Sequence, residues 1–497
     1  MDACLSAVRS GSSAKALAAL KGFNEANATR FTFADAESTR EALVGALVAE
    51  LRRDETIRQP ELASTTLETL KIVSRERIGI DALLSDEGLR FLGQLATESK
   101  SNQIEESALK CLCNLVYKSP KTALACFNQD VLVGIARRPD AVAAAAVSRD
   151  VRFFELRLVF LVTALAPDTR VATRRRMLVG LVDAIGPGGG GGGAWRDDPG
   201  VLSETFKIVF TLTMDAEDVD ATVLKRFVGH VRVVLCSTRE DMREAKGHAV
   251  NALVNMPQSA LSELVTPVRE EASAFLFDDR DVSAVRSVID MLENATTTAK
   301  SASGDELVPM MTALSNCARA NRIIRKYLRS QILPPIGRVL HKPEDSPGLK
   351  GRLVRLMTSP SSNVSTLVAD FLFVLCKENV SRFTKHTGYG NAAGLLLQRG
   401  LLGAAASNRS GGDYSTDEGS DTEDYLESSV DPVTGGPVKH VGPNPLDSMT
   451  EEEKEAEAEK LVNLFDQLNK TGVIQVKSLG ADGKETDQFS RRSAAED

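Results

Sequence analysis

The sequence predicts an all-α protein: a right-handed superhelical solenoid of stacked helical repeats, followed by an acidic linker and one last amphipathic helix. Helical periodicity fills nearly every ordered stretch before Leu402, the breaks between helices are short, and the strongest helices return at a nearly constant interval. In IEESALKCLCNLVY, Ile104, Ala108, Leu112, Leu115 and Val116 fall on one face, and no stretch alternates convincingly as a strand would. Breaks at Ser119-Pro120, Ala166-Pro167 and Met256-Pro257 are brief, so neighbouring helices must pack antiparallel.

Lys71, Asn114 and Phe160 mark helices 43 and 46 residues apart, and Phe210 and Asn255 lie 45 apart. HEAT and armadillo repeats span ~40–47 residues, so the interval points to that class of solenoid. Asn316 lies 61 residues beyond Asn255, which predicts longer helices or an insertion there. The marker helices also carry polar stripes away from their core faces: Glu68, Lys71 and Arg75; Lys110, Asn114 and Tyr117; Asn251 and Asn255. Any one stripe reads as an ordinary solvated face. Asparagine recurring on successive helices predicts a ladder in a concave groove, able to hydrogen-bond an extended or helical peptide.

At 497 residues, 42% hydrophobic and 26% charged, the chain can bury a large core but is too long for one compact globule. A formal charge of -8 disfavours broad contact with nucleic acid or an anionic membrane and suits a basic partner patch. Seven scattered cysteines (Cys4, Cys111, Cys113, Cys126, Cys236, Cys317, Cys376) lack metal-ligand spacing and read as reduced, cytosolic thiols, with no metal and no cofactor expected. MDACLSAVRSGSSAKALAAL shows no secretory pattern, and the apolar run Leu156 to Ala166 is well short of the ~20 residues that span a bilayer. GPGGGGGG, Gly186 to Gly193, lacks the ending of a phosphate-binding loop and reads as a flexible insertion; GYGNAAG, Gly388 to Gly394, follows a helix and is no dinucleotide site.

After Leu402 the composition changes. Ser407 to Ser429 is acidic and polar, with little to bury, and a Pro/Gly linker follows. MTEEEKEAEAEKLVNLFDQLNKTG then opens with Thr450 and Glu453 in capping-box spacing and carries Leu461, Leu464, Phe465 and Leu468 on one face. The expected organisation is a solenoid over 1–406, a flexible linker over 407–447, and a tethered helix and tail over 448–497.

FLFVLCKENVSRFTKHTGYGNAAGLLLQRGLL, from Phe371 to Leu402, closely resembles the signature of the synembryn family. Four further segments resemble that family in the same order: ALKCLCNLVYKSP around Asn114, VRFFELRLVFLVTAL around Phe160, NRIIRKYLRSQILPPIGRVL around Arg325, and PNPLDSMTEEEKEAEAEKLVNLFDQL near the end. The resemblance implies a guanine-nucleotide exchange factor and folding chaperone for G-protein α subunits (Gα), GDP-bound or nucleotide-free, acting as a monomer in the cytoplasm and, through Gα, at the cell cortex. It implies a groove that holds the C-terminal helix of Gα, with Lys71, Arg75, Asn114 and Phe160 as contacts; Asn255 joins them by its stripe. It assigns Leu461, Leu464, Phe465 and Leu468 to a helix that supports the GTPase domain. The glycine run departs from the family pattern.

In the acidic linker, Ser415 precedes Glu418 and Ser420 precedes Glu423, the spacing read by casein-kinase-2-like enzymes, and the position matches the family's phosphorylated linker. Arg322, Arg325, Lys326 and Arg329 form a basic stripe expected to receive the phosphates, with Ile323, Ile324, Tyr327 and Leu328 on the buried face. An armadillo-type adaptor such as a nuclear-import receptor is the alternative, but import receptors use ladders of Trp with Asn and this chain has one tryptophan, Trp195. Five dispersed histidines (His230, His248, His341, His386, His440) and the lack of an HExxH or GxSxG motif argue against an enzyme.

Overall fold

The computed structural model describes residues 1–33, 37–136, 147–186, 197–214, 218–268, 275–297, 304–334, 341–360, 362–401, 434, 436, 449–470, 478–479 and 485–486. The chain divides into two units, Met1–Gly436 and Pro437–Asp497.

The first unit is built on helices α1 (Ser13–Asn27), α2 (Pro60–Val73), α3 (Asn102–Tyr117), α4 (Arg149–Leu165), α5 (Pro199–Thr213), α6 (Arg243–Leu253), α7 (Gly304–Ala320), α8 (Arg322–Ile332) and α9 (Ser362–Leu375). From α1 to α7 each helix stacks on the next in chain order, and α9 continues the stack from α7. Other helices back this row, Arg170–Ala184 packing on α5 and Ala221–Cys236 on α6. The predicted all-α solenoid is therefore the observed fold of this unit.

Local chemistry starts each rung. Ser148 accepts from the amide of Val151 at 3.2 Å to open α4, and Asp198 accepts from that of Val201 at 2.9 Å to open α5. Proline occupies the first turn of α2 and α5, where its missing N–H leaves nothing unsatisfied.

The stacked helices are buried on both flanks, so most of their residues are core. Between Val201 and Thr213 of α5, only Lys207 and Phe210 are not buried. Val201, Ile208 and Leu212 of this helix join an apolar cluster that reaches back to Cys4, whereas Leu202, Phe206 and Val209 join a second cluster that extends to Leu396. The two cores meet in α5.

The last turn of a helix leaves backbone carbonyls without intrahelical donors. Along the stack, side chains of the next rung fill that need. Arg75, just beyond α2, donates to the carbonyls of Asn27 at 3.0 Å and Ala28 at 2.9 Å, and also to that of Arg30, closing the end of α1. Asn114 donates to the Lys71 carbonyl at 3.3 Å and to Ser74 Oγ at 2.8 Å, while Lys118 reaches the Arg75 carbonyl. Asn255 donates to the Phe210 carbonyl at 2.9 Å, and Asn316 to that of Val254 at 3.2 Å. The sequence interval between markers is the span of these bonds, which is why asparagine recurs with the repeat.

No strand was expected, yet β1 (Thr266–Pro267), β2 (Leu276–Phe277) and β3 (Arg280–Asp281) form an antiparallel sheet in the order β1-β3-β2. Strands of two residues leave no alternation to read. The turn itself uses Asp278 and Asp279 at φ 53° and 58°, a conformation that aspartate tolerates better than most residues. The insertion accounts for part of the wider spacing between Asn255 and Asn316.

Past α9, Lys377 and Glu378 take left-handed conformations at φ 57° and 52°, and the helix Val380–Thr387 follows, opened by Asn379. His386 of that helix is buried. Burial first, then the charges of Lys350, Arg329 and Arg382, push its imidazole down to about 3. Burial also pushes the thiols of Cys111, Cys126, Cys317 and Cys376 up to about 12, and all seven cysteines are free.

In the second unit, α10 (Glu451–Lys470) starts at the predicted capping box: the Thr450 amide donates to Glu453 Oε2 at 2.9 Å and the Glu453 amide to Thr450 Oγ1 at 3.3 Å. A short hairpin, β4 (Ser478–Leu479) with β5 (Glu485–Thr486), lies beyond it.

Two stability predictions follow from these contacts. Asn114→Ala or Asn255→Ala removes a half-buried amide that serves a helix-end carbonyl, and each should cost ~1–2 kcal/mol in urea denaturation; unshifted midpoints would contradict the bracket role. His386 stays neutral in the folded state but protonates below its ordinary value of 6.5 once unfolded. Its contribution is therefore complete above about pH 6.5 and is lost as pH falls toward about 3, at up to ~1.4 kcal/mol per pH unit. His386→Gln should flatten the acid limb of a stability-versus-pH curve by about one proton.

Candidate functional site

The expected polar stripes form the less-buried face of the stacked helices. Thr65, Glu68 and Lys71 are the half-buried positions of α2 between Leu62 and Ser74; Glu106, Ser107, Lys110 and Asn114 are those of α3 between Ile104 and Val116. The stripes adjoin from rung to rung, with Asn114 on Lys71, Lys110 Nζ 5.1 Å from the Phe154 ring centre, and Lys207 Nζ 5.9 Å from that of Phe160. Tyr117 stands at the end of the α3 stripe, 70% exposed.

Three of the expected contact residues on this face also brace the stack. Asn114 and Asn255 were expected to offer their amides to a peptide, but their donors are engaged on the neighbouring rung, because a helix-end carbonyl in a packed stack must be satisfied from within. Arg75 was expected as a groove contact; its guanidinium is held by the carbonyls that end α1 and lies 4.9 Å from the centre of the exposed Phe31 ring. Lys71 pairs with Glu68 at 2.6 Å. These residues shape the face by fixing adjacent rungs.

Where the marker position is phenylalanine, the bracket is missing and a pocket takes its place. Phe160 of α4 and Phe210 of α5, with Ala164, Arg170, Thr211, Met214, Lys207, His248 and Asn251, line a pocket of about 370 Å³ across α4, α5 and α6. The helix ends beside it are held by other means: Arg170 Nε donates to the Thr163 carbonyl at 2.9 Å, and the hydroxyls of Thr163 and Thr211 share a hydrogen bond of 2.9 Å. Nothing lies within 4 Å of the point a Cβ would occupy on Gly247, so the α6 backbone is open beside the pocket.

A chain of charges adjoins the pocket and meets its lining at Lys207 and His248. Glu204 is buried, 1% exposed, and its Oε1 accepts from Arg157 of α4 at 3.0 Å and from Lys207 at 2.9 Å. Lys207 Nζ also lies 3.8 Å from Glu244, which stands 3.6 Å from His248 Nε2. Burial and then the Lys207 ammonium push the His248 imidazole below its usual value, against the pull of Glu244. The pocket thus combines apolar walls with a fixed ammonium and a half-buried imidazole. Sequence reasoning singled out Phe160 as a contact, took Phe210 only as a repeat marker and His248 only as a dispersed histidine, and passed over Lys207 and Glu204. The signal was available in the register, since Phe160 and Phe210 occupy the positions that carry asparagine elsewhere.

The basic helix differs from expectation. α8 packs between α7 and α9, so Arg325 and Arg329 are buried at 6% and 8% exposure, while Arg322 is exposed and Lys326 and Ile323 are half-buried. Arg325 donates to the Ala318 carbonyl at 2.8 Å, and Lys326 lies 3.6 Å from Asp278 of the hairpin turn. A solvated stripe of four cations is therefore corrected to two cations toward the surface and two within the packing. In α10, Leu461 is exposed; the side chains of Leu464, Phe465 and Leu468 lie outside the described residues, as do Ser415, Ser420, Trp195, and the glycine run after Gly186.

Among the described residues no helix is long and apolar enough to cross a membrane, and no group of three or more His, Cys, Asp or Glu is placed to hold a metal ion.

Residues 66–484 match the family described as guanine nucleotide exchange factor synembryn, Ric8. The chain is 35% identical over 516 residues to the chaperone Ric-8A of Gallus gallus, covering 96% of this chain and 94% of that protein. It is 36% identical over 500 residues to the chaperone Ric-8A of Mus musculus, covering 94% and 91%. Among solved structures, an engineered protein aligns with 82% of this chain and 96% of its own at 17% identity and a TM-score of 0.47. A designed armadillo repeat protein aligns with 58% and 99% at 12% identity and a TM-score of 0.37.

Proposed function

Since the chain belongs to the synembryn (Ric8) family of guanine nucleotide exchange factors, we propose that it folds Gα subunits and drives out their nucleotide by holding the C-terminal helix of Gα on the stacked-helix face. The observation that carries this reading is the pocket at Phe160 and Phe210, where two rungs lack the asparagine bracket and present aromatic rings and a fixed cation instead. A helical peptide with apolar anchors fits such a face, because one or two aromatic-lined sockets supply most of the affinity of a helix-in-groove contact.

No covalent chemistry is needed. Binding energy directed to a Gα conformer whose last helix is drawn away from the nucleotide site lowers its affinity for GDP, and by reciprocity GTP binding loosens the exchange factor. Preference for an open, incompletely folded Gα is also the property of a folding chaperone. The cytoplasm, with access to the cell cortex through Gα, and a monomeric state accompany this reading. The α10 helix, tethered by residues 407–447, is the candidate clamp on the GTPase domain through Leu461, Leu464, Phe465 and Leu468.

GDP release from Gα at limiting exchange-factor concentration tests the reading. Phe160→Ala with Phe210→Ala should slow release at least about tenfold with helical circular dichroism intact; an unchanged rate would refute the pocket's role. Deleting everything after Asn444 should preserve binding of a Gα C-terminal peptide but slow exchange, and full exchange by the truncated chain would remove the clamp.

A second proposal concerns regulation. Phosphates on Ser415 and Ser420, added by a casein-kinase-2-like enzyme, would dock on the basic helix α8 and order the linker, raising the effective concentration of α10 at bound Gα. Because Arg325 and Arg329 are buried, reversing their charge would damage packing, so Arg322→Glu with Lys326→Glu is the cleaner variant. Phosphorylation should speed GDP release in the unaltered chain and not in that variant; equal rates before and after phosphorylation would end the proposal.

A further inference from the structure

Glu204 is deeply buried, yet it makes no contribution to the apolar core and touches no helix-end carbonyl. Its Oε1 takes hydrogen bonds from cations on two rungs, Arg157 and Lys207, and its Oε2 has no hydrogen-bond partner among the described residues. A buried carboxylate is costly to retain unless its geometry is fixed by charged donors, and one so fixed in turn fixes them. Lys207 is the donor that matters for the pocket. It is one of two residues of α5 between Val201 and Thr213 that escape burial, the other being Phe210 one turn later. Lys207 lines the pocket, with its ammonium bonded to Glu204 and 5.9 Å from the Phe160 ring centre.

Resting on the proposed function, we infer that Glu204 is a positioning residue that sets the pocket's specificity for an apolar side chain of the partner helix accompanied by a carboxylate. The carboxylate comes from an Asp, Glu or chain terminus within one turn of that side chain. Lys207 already shares its charge with Glu204 and lies near Glu244, so the acids hold it against rotation into solvent. His248, kept below its usual imidazole value by burial and Lys207, and Asn251 add polar groups to the walls. A partner carboxylate entering between these walls meets an ammonium whose rotamer is fixed beforehand. An uncharged analogue meets the same ammonium with its desolvation uncompensated, which is how a preorganised charge discriminates.

The test uses the full chain and a set of synthetic Gα C-terminal helix peptides: the native sequence, its C-terminal amide, and versions with each Asp or Glu replaced by Asn or Gln. For the unaltered protein, neutralising one of these carboxylates should weaken binding about tenfold, while the other changes have little effect. In Glu204→Gln that ratio should fall to about one. Lys207→Gln should abolish it equally, which covers the case in which Glu204→Gln fails to fold, and Lys207→Arg should restore it. Persistence of the ratio in a folded Glu204→Gln, or in Lys207→Gln, overturns the inference, as does a native protein that binds every peptide alike. If the unaltered chain binds none of the peptides, the proposed function falls and this inference with it.

Discussion

Carbonyl groups left over at the ends of stacked helices govern this architecture. Each rung packs on both flanks, so its last turn is shielded from water just where its acceptors lack intrahelical donors. Arg75, Asn114, Asn255 and Asn316 answer that need from the following rung, and the bonds of Asn114 and Asn255 span the interval of the sequence repeat. A solenoid usually owes its coherence to apolar nearest-neighbour contact. Here polar brackets along one edge also fix how far each helix advances past the last.

The same constraint explains how a pocket arises on a repetitive surface. Phe160 and Phe210 interrupt the bracket at two consecutive rungs, and the structure supports those rungs with Arg170 and the Thr163–Thr211 pair instead. Removing a structural donor and adding an aromatic ring opens concave apolar surface without disturbing the stack. Glu204 then fixes a lysine within it. The pocket opens where the marker positions carry Phe160 and Phe210 in place of the asparagine found at 114, 255 and 316.

Much of this was legible in the sequence. The helical period, the capping box at Thr450 and Glu453, and the marker spacing each correspond to a structural element, because all three are local or strictly periodic. What Asn114 and Asn255 bind was not legible: a primary amide is equally suited to a ligand and to a neighbouring helix end, and only the packing decides. Arg325 and Arg329 misled for a related reason. Periodicity shows that they share a face of α8 but not that α7 and α9 cover it from two sides. The hairpin at Asp278 and Asp279 was missed because strands of two residues have no period at all. Glu204 was hidden differently, as one carboxylate among many in a charged chain, and only its burial distinguishes it.

That the two apolar cores meet within α5 bears on how the molecule responds to load. In a linear array, cooperativity passes only between adjacent rungs, and a boundary between cores is where one half can loosen without the other. The pocket spans that boundary, with walls on α4, α5 and α6. A ligand seated there would touch helices that belong to both cores, so its contacts would add to the α5 packing that already joins the halves.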